Sequence, residues 1–168
     1  MSRFFILFFI FCFSITSAQI TQVRDTILMG SRFQITVVDV NDKQANQNID
    51  KAIAEIVRIE MLISDWKPDS QVSQINSNAG KFPVKVDQEV IDLTQRAIKY
   101  SKLTDGVFDI SFAAMDKIWK FDGSMDELPT NDEIKKAIQN IGYQNIKIDT
   151  LNQTIFLTKV GMKIGFGS

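Results

Sequence analysis

The sequence predicts an α+β fold, because β-rich segments lie towards both ends of the chain and amphipathic helices lie between them. No regular alternation of strand and helix is present, which argues against a parallel sheet. The chain has 168 residues, of which 45% are hydrophobic and 23% are charged. That composition is typical of one globular domain, and a chain of this length buries enough surface to form a core without disulfides.

The first β-rich segment is predicted to be an antiparallel hairpin. Residues 34–38 are alternating and β-branched, and residues 21–28 form a weaker strand that can pair with them. The intervening Met29 and Gly30 then lie at the turn. Considered alone, Gly30 is a turn residue and Met29 belongs to the core.

Five helices are predicted after the hairpin. The longest runs from Asp42 to about Leu62, with apolar residues at three- and four-residue spacings and with Asn41 or Asp42 as its cap. Asp69 or Ser70 is expected to cap a short helix. The other predictions are a strand over 82–86, a helix capped by Asp87, a helix over 112–119 and a helix over 133–141 opened by residues 129–131 and ended by Gly142.

The second β-rich segment is predicted to be a hairpin of residues 146–148 and 154–157. A further strand begins at residues 162–164 and is broken by Gly165 and Gly167. A segment of this kind usually leads into more structure. We therefore expect the domain to be incomplete at its C-terminus.

Two absences exclude whole classes of chemistry. The chain has no histidine, and its one cysteine is Cys12. Catalytic arrangements that need imidazole, and zinc sites with nitrogen and sulfur ligands, are therefore excluded. Carboxylates, lysines, hydroxyls, backbone groups or a hard metal ion on oxygen ligands must do any chemistry. With 19 basic and 20 acidic residues, the chain offers no basic surface for nucleic acid.

Residues 1–18 have the pattern of a signal peptide, with Arg3, about ten apolar residues and the small residues that end at Ala18. The alternative is a membrane anchor, but so short an apolar run does not span a bilayer of ~30 Å as a helix. A lipoprotein signal at Cys12 is disfavoured by the bulky Phe11 before it. We expect an exported protein of the periplasm or cell envelope, with a domain over residues 19–168, and membrane association as the alternative.

The segment 104–111 is the densest cluster of hydroxyls and carboxylates in the chain. Gly106 permits a turn whose backbone N–H groups could bind phosphate oxygens. In the structural interpretation, which we favour from composition alone, Gly106 ends one helix and Asp109 caps the next.

A second candidate is the polar loop that begins at Ser64 and contains Trp66. An indole in a loop can stack on a planar ligand. It can equally close the bottom of a core, and the sequence does not separate the two interpretations.

Taken together and in order, these motifs resemble the ApbE family, the FAD:protein FMN transferases. The resemblance covers residues 29–168 and corresponds to the first half of a typical member. It rests on the following segments: 29–31, 59–76, 104–111, 119–121, 141–143, 146–157 and 161–164.

The resemblance implies a T-fold-like mixed sheet with packed helices and an enzyme that transfers FMN from FAD to a Thr or Ser hydroxyl of an exported acceptor protein, with Mg²⁺ as cofactor and AMP as product. The positions implied to contact FAD are Met29, Trp66, Val107, Phe108, Asp109 and Gly165. At Gly165 the family often has aspartate. The backbone oxygen of Ser168 is implied to reach the metal.

Two other functions stay open at this point: an exported FAD-binding module without transfer activity, and an exported scaffold whose turns only resemble the motifs. With one implied metal position, the chain as given is not expected to catalyse transfer alone. Its catalytic residues are not assigned by the sequence.

Overall fold

A computed structural model describes residues 19–120, 124–125 and 127–167 of the chain. The predicted signal peptide and Ser168 lie outside these residues. The elements, in chain order, are β1 (Ile20–Leu28), β2 (Ser31–Asp39), α1 (Asp42–Ile63), α2 (Gln71–Ser77), β3 (Val84–Lys85), α3 (Gln88–Leu103), a 3₁₀ helix (Ile110–Lys117), α4 (Asn131–Ile138), a 3₁₀ turn (Tyr143–Asn145), β4 (Ile146–Asp149) and β5 (Thr154–Leu157).

The α+β class is confirmed. In place of one mixed sheet, the described strands form two separate sheets, and every pairing in them is antiparallel. The first contains β1 and β2, and the second has the order β3-β5-β4. Both predicted hairpins are present, whereas the strand predicted over 82–86 shortens to two residues.

The first hairpin turns through Met29 and Gly30, whose φ angles are 49° and 70°. Leu28 pairs with Ser31 across this two-residue turn, and positive φ at both central positions is the geometry that matches the twist of the strands. Helix α1 packs on the hairpin and buries Ala45 and Ile49 beneath it.

The main core lies between α2, α3 and the second sheet, where fifteen buried apolar side chains form one cluster. The central strand β5 contributes Ile155 and Leu157, both essentially inaccessible. Helix α3 contributes Val90, Ile91 and Ala97, as its apolar spacing predicts.

Local capping signals predicted the helix starts correctly. The side chains of Asn41, Ser70 and Thr130 accept backbone hydrogen bonds at the starts of α1, α2 and α4. At α4, Thr130 and Glu133 complete a reciprocal capping box. Asp87 also precedes a helix, but its carboxylate does not cap it. It accepts instead from Gln71 Nε2 at 2.7 Å.

Two predictions about the later part of the chain are wrong. Helix α4 ends at Ile138, so Gly142 does not cap it. The backbone N–H of Gly142 donates instead to Ser111 Oγ at 2.8 Å. Residues 162–164 are not a strand, because Ile164 forms its two backbone hydrogen bonds with the side chain of Asn76. In addition, the helix predicted over 112–119 is a 3₁₀ helix that begins at Ile110.

Within the described ranges, no helix combines the length and the apolar character needed to cross a membrane.

Candidate functional site

A cavity of about 740 Å³ lies where α3, the 3₁₀ helix and residues 165–167 meet the loop after α1. This volume is within the range of small-molecule sites. Five of its lining side chains are aromatic: Trp66, Tyr100, Phe108, Phe112 and Phe166. The other lining residues are Asp65, Leu93, Arg96, Ala97, Asp109, Ile110, Ala113, Asp116, Gly165 and Gly167.

Four residues implied by the resemblance line this cavity, namely Trp66, Phe108, Asp109 and Gly165. Met29 lines a neighbouring cavity of about 340 Å³, which it shares with Trp66. The side chain of Val107 points to solvent and is 92% exposed. Ser168, the implied metal position, is not among the described residues.

Trp66 is held by a well-bonded loop. Ser64 Oγ accepts from the backbone N–H groups of Trp66 and Lys67, at 3.3 and 3.2 Å. The carbonyl oxygen of Ser64 accepts from the hydroxyls of Ser70 and Ser73. The indole itself is 75% exposed. Trp66 therefore does not close the core, and its ring is available to stack on a planar ligand.

The segment 104–111 has the structure that capping rules predict. Gly106 has φ +83°, and its N–H donates to the carbonyl oxygen of Ser101 at 2.8 Å, which closes the end of α3. Thr104 Oγ1 accepts from the backbone N–H of Phe108 at 3.1 Å. These bonds fix the backbone on which Phe108 reaches the cavity.

Asp109 and Ser111 tie this segment to a distant turn. Asp109 Oδ1 accepts from the N–H and the hydroxyl of Ser111 at 2.8 and 2.7 Å, so Asp109 caps the 3₁₀ helix as predicted. Asp109 Oδ2 accepts from Tyr143 N at 2.8 Å, and Ser111 Oγ accepts from Gly142 N. Asp109 therefore has a structural role beside its place in the cavity wall.

Lys163 joins three segments that build the cavity. Its Nζ lies 3.0 Å from Asp65 Oδ2 and 2.8 Å from Asp116 Oδ2, and 5.4 Å from the centre of the Trp66 ring. Burial lowers the pKa of Lys163, but the hydrogen bonds from Asp116 and Asp65 outweigh it and raise the pKa overall. Lys163 therefore stays charged at neutral pH.

Gly165 brings the backbone close to the cavity wall. Its N–H donates to the carbonyl oxygen of Ile110 at 3.1 Å. A Cβ at this position would lie 3.1 Å from Ala113 Cβ and 3.5 Å from Asp65 Oδ2. A larger residue would therefore press on Ala113 and on the Asp65 carboxylate.

Several residues that line the cavity were not predicted from the sequence. Leu93, Arg96, Ala97 and Tyr100 lie on one face of α3 at helical spacing, and a face that carries Arg and Tyr among apolar residues was a usable signal. The ion pairs of Asp65 and Asp116 with Lys163 could not be predicted from the local sequence, because Lys163 is distant from both residues in the chain. Asp116, which lies outside the motifs singled out in the sequence, also lies in the cavity wall.

The described residues contain no cluster of three or more acidic, histidine or cysteine side chains suited to a metal ion. The nearest arrangement is the pair Asp65 and Asp116, which shares the ammonium group of Lys163.

Comparison with known sequences gives a decisive match, because the profile of the ApbE family matches residues 29–168. The chain belongs to the ApbE family. A FAD:protein FMN transferase from Klebsiella pneumoniae is 26% identical over 142 residues, which are 84% of this chain and 44% of the relative. One from Treponema pallidum is 24% identical and covers 78% of this chain and 39% of the relative. The chain thus spans less than half the length of these curated relatives.

Solved ApbE structures share the fold. The ApbE protein from Thermotoga maritima superposes with a TM-score of 0.73 at 30% identity, over 88% of this chain and 47% of that one. The flavin transferase ApbE from Vibrio cholerae gives a TM-score of 0.74 at 18% identity, over 89% and 49%. The architecture described above is therefore that of the ApbE fold.

Proposed function

We propose that this ApbE-family protein is a FAD:protein FMN transferase and that the aromatic cavity is its flavin site. The observation that carries the proposal is the convergence of Trp66, Phe108 and Gly165, from three separate segments of the chain, on one cavity of about 740 Å³. The names of the relatives from Klebsiella and Treponema support the same reaction class.

The cavity fits the chemistry of FAD. Flat rings stack on aromatic side chains, and Trp66, Tyr100, Phe108 and Phe166 supply such surfaces. The exposed indole of Trp66 is positioned by the Ser64 bonds and by the ammonium group of Lys163. A cation over the face of an aromatic ring is attracted to that ring. Lys163 therefore restrains the Trp66 indole while the indole stays exposed to solvent.

In the proposed reaction, a Thr or Ser hydroxyl of an exported acceptor protein attacks the phosphorus of the FMN moiety of FAD. A new P–O bond to the acceptor forms, the bond to the AMP phosphate breaks, AMP leaves and the hydroxyl proton is released. Positioning and charge neutralisation dominate such transfers. The contribution of the described residues is to bind and orient FAD.

Mg²⁺ is part of this proposal as the ion that neutralises the phosphates. The described residues do not by themselves fit a Mg²⁺ shell, since Asp65 and Asp116 are already joined to Lys163 and no other acidic cluster is available among them. We therefore assign no step to the ion in this part of the protein.

Export is proposed from the sequence of residues 1–18. Cleavage after Ala18 would release the domain into the periplasm or cell envelope, where its acceptor would also be found. Intact-mass analysis of the exported fraction tests this, because a mature protein that still begins at Met1 would contradict cleavage.

The transfer reaction is tested with the purified full-length protein, FAD, Mg²⁺ and an exported flavoprotein acceptor, alongside the same acceptor with its target Thr changed to Val. We expect covalently flavinylated acceptor and an equal amount of AMP, and neither product with the Val variant. Binding of FAD without release of AMP would support the alternative of a flavin-binding module and contradict the transferase.

A further inference from the structure

We propose that Arg96 binds the phosphate groups of the flavin nucleotide in the aromatic cavity. This inference rests on the proposed function, because it takes the ligand to be a flavin nucleotide. It adds a residue outside the motifs that define the family resemblance, and it names the part of the ligand that this residue recognises.

Arg96 lies in the wall of the aromatic cavity. It lies on α3 on the same face as Ala97 and Tyr100, and all three line the cavity. Its guanidinium group forms no hydrogen bond or ion pair with any described residue. Asp92, one turn earlier on the helix and a natural partner by spacing, instead accepts from Gln88 Nε2 at 2.7 Å.

The acidic groups of the cavity wall are all engaged. Asp65 and Asp116 both bind Lys163, while Asp109 accepts from Ser111 and Tyr143. Among the described residues that line the cavity, Arg96 is therefore the cation that lacks a partner. Lys163 is not among the residues that line this cavity, and its ammonium group is already shared by two carboxylates.

This charge distribution determines where an anion can lie. Near Asp65 and Asp116, one ammonium group faces two carboxylates, so the local charge is negative and repels phosphate. Arg96 is the one lysine or arginine among the described residues that line the cavity, and no described carboxylate is paired with it. Its planar guanidinium group can donate two parallel hydrogen bonds to phosphate oxygens, in the geometry that makes arginine a frequent phosphate ligand.

An aromatic cavity with one unpaired cation should distinguish flavins by their charge. The isoalloxazine ring is common to FAD, FMN and riboflavin, and the aromatic wall can contact it in all three. Phosphate groups are present only in FAD and FMN. Arg96 should therefore contribute to the binding of the two nucleotides and contribute little to the binding of riboflavin.

The test compares the affinity of the full-length protein for FAD, FMN and riboflavin in wild type, Arg96→Gln and Arg96→Lys. Lys99→Gln is the matched control, because Lys99 lies on the same helix but outside this cavity. We expect Arg96→Gln to weaken FAD and FMN binding about tenfold or more, as for the loss of a charged hydrogen bond. Riboflavin affinity should stay at the wild-type value, Arg96→Lys should recover part of the loss, and Lys99→Gln should change nothing.

Three results would overturn the inference. If Arg96→Gln binds FAD as wild type does, Arg96 is not the phosphate ligand, while flavin binding and the proposed function stand. If the affinities for all three flavins fall equally, Arg96 supports the shape of the cavity and does not recognise phosphate. If the wild-type protein binds none of the three, both the inference and the proposed function are wrong.

Discussion

Asp109 Oδ2 accepts a hydrogen bond of 2.8 Å from the backbone N–H of Tyr143, thirty-four residues later in the chain. The next amide group back, that of Gly142, donates to Ser111 Oγ at the same distance. Two polar side chains of the segment 104–111 therefore accept hydrogen bonds from two consecutive backbone amides of a distant turn. The segment that presents Phe108 to the cavity is fixed by this contact as well as by its own turn.

Asp109→Ala should therefore lower the free energy of unfolding. The substitution leaves the N–H groups of Ser111 and Tyr143 without their acceptor, and the loss should be about 2–3 kcal/mol. Urea denaturation measures it. Asp69→Ala is the control, because the Asp69 side chain makes no hydrogen bond or ion pair with a described residue. Equal stability of the two variants would show that the contact to Tyr143 is unimportant.

Trp66→Ala should reduce flavin affinity with little effect on stability. The indole is 75% exposed, so its removal leaves the core intact, while the loss of one stacked ring costs about five- to a hundredfold in affinity. Trp66→Phe should retain part of the affinity. Phe82→Ala provides a control at an exposed aromatic residue outside the cavity. If FAD titrations give the same Kd for Trp66→Ala and wild type, Trp66 does not stack on the flavin.

Lys163→Met should destabilise the protein in a pH-dependent way. The variant leaves Asp65, whose side chain is 8% exposed, without its counter-charge, at a cost of about 1–3 kcal/mol after allowance for partial exposure. Folding raises the pKa of Lys163. The charged lysine therefore stabilises the folded protein fully at pH values below its pKa in the unfolded state, about 10.4, and this stabilisation is lost as the pH rises through its pKa in the folded state.

The difference in unfolding free energy between wild type and Lys163→Met should accordingly be constant near neutral pH and narrow above about pH 10. Lys99→Met, at an exposed lysine on α3, controls for the general titration of surface lysines. If the difference in unfolding free energy between wild type and Lys163→Met does not narrow at high pH, the ion pairs of Lys163 with Asp65 and Asp116 do not stabilise the fold.

Gly80→Ala should destabilise the protein much more than Gly30→Ala. Both glycines have positive φ, 75° and 70°, so both substitutions carry the same strain of about 1 kcal/mol. A Cβ at Gly80 would also lie 2.6 Å from the backbone nitrogen of Val160, whereas a Cβ at Gly30 meets nothing within 4 Å. Thermal denaturation compares the two, and equal shifts in Tm would show that the contact with Val160 is relieved without cost.

The parts of the fold that depend on short-range chemistry could be predicted from the sequence. Asn41, Ser70 and Thr130 cap helices within three residues of themselves, and the apolar spacing of α1 is a property of consecutive turns. The errors arose where a distant partner competed. Gly142 bonds to Ser111, and Ile164 pairs with the side chain of Asn76, which lies 88 residues earlier.

In the candidate site, too, the features that depend on local sequence could be predicted and those that depend on distant partners could not. The motifs around Trp66 and Asp109 were visible as polar, conformationally special loops. The cluster of Asp65, Asp116 and Lys163 depends on three segments that meet only after folding. A single sequence carries no signal for such a meeting, because each residue by itself is an ordinary surface charge.

The most direct test of the account is a crystal structure of the full-length protein with FAD. We expect FAD in the cavity lined by Trp66, Phe108 and Gly165, with a planar ring of the ligand against the indole. FAD bound elsewhere on the protein, with this cavity unoccupied, would contradict the assignment of the flavin site.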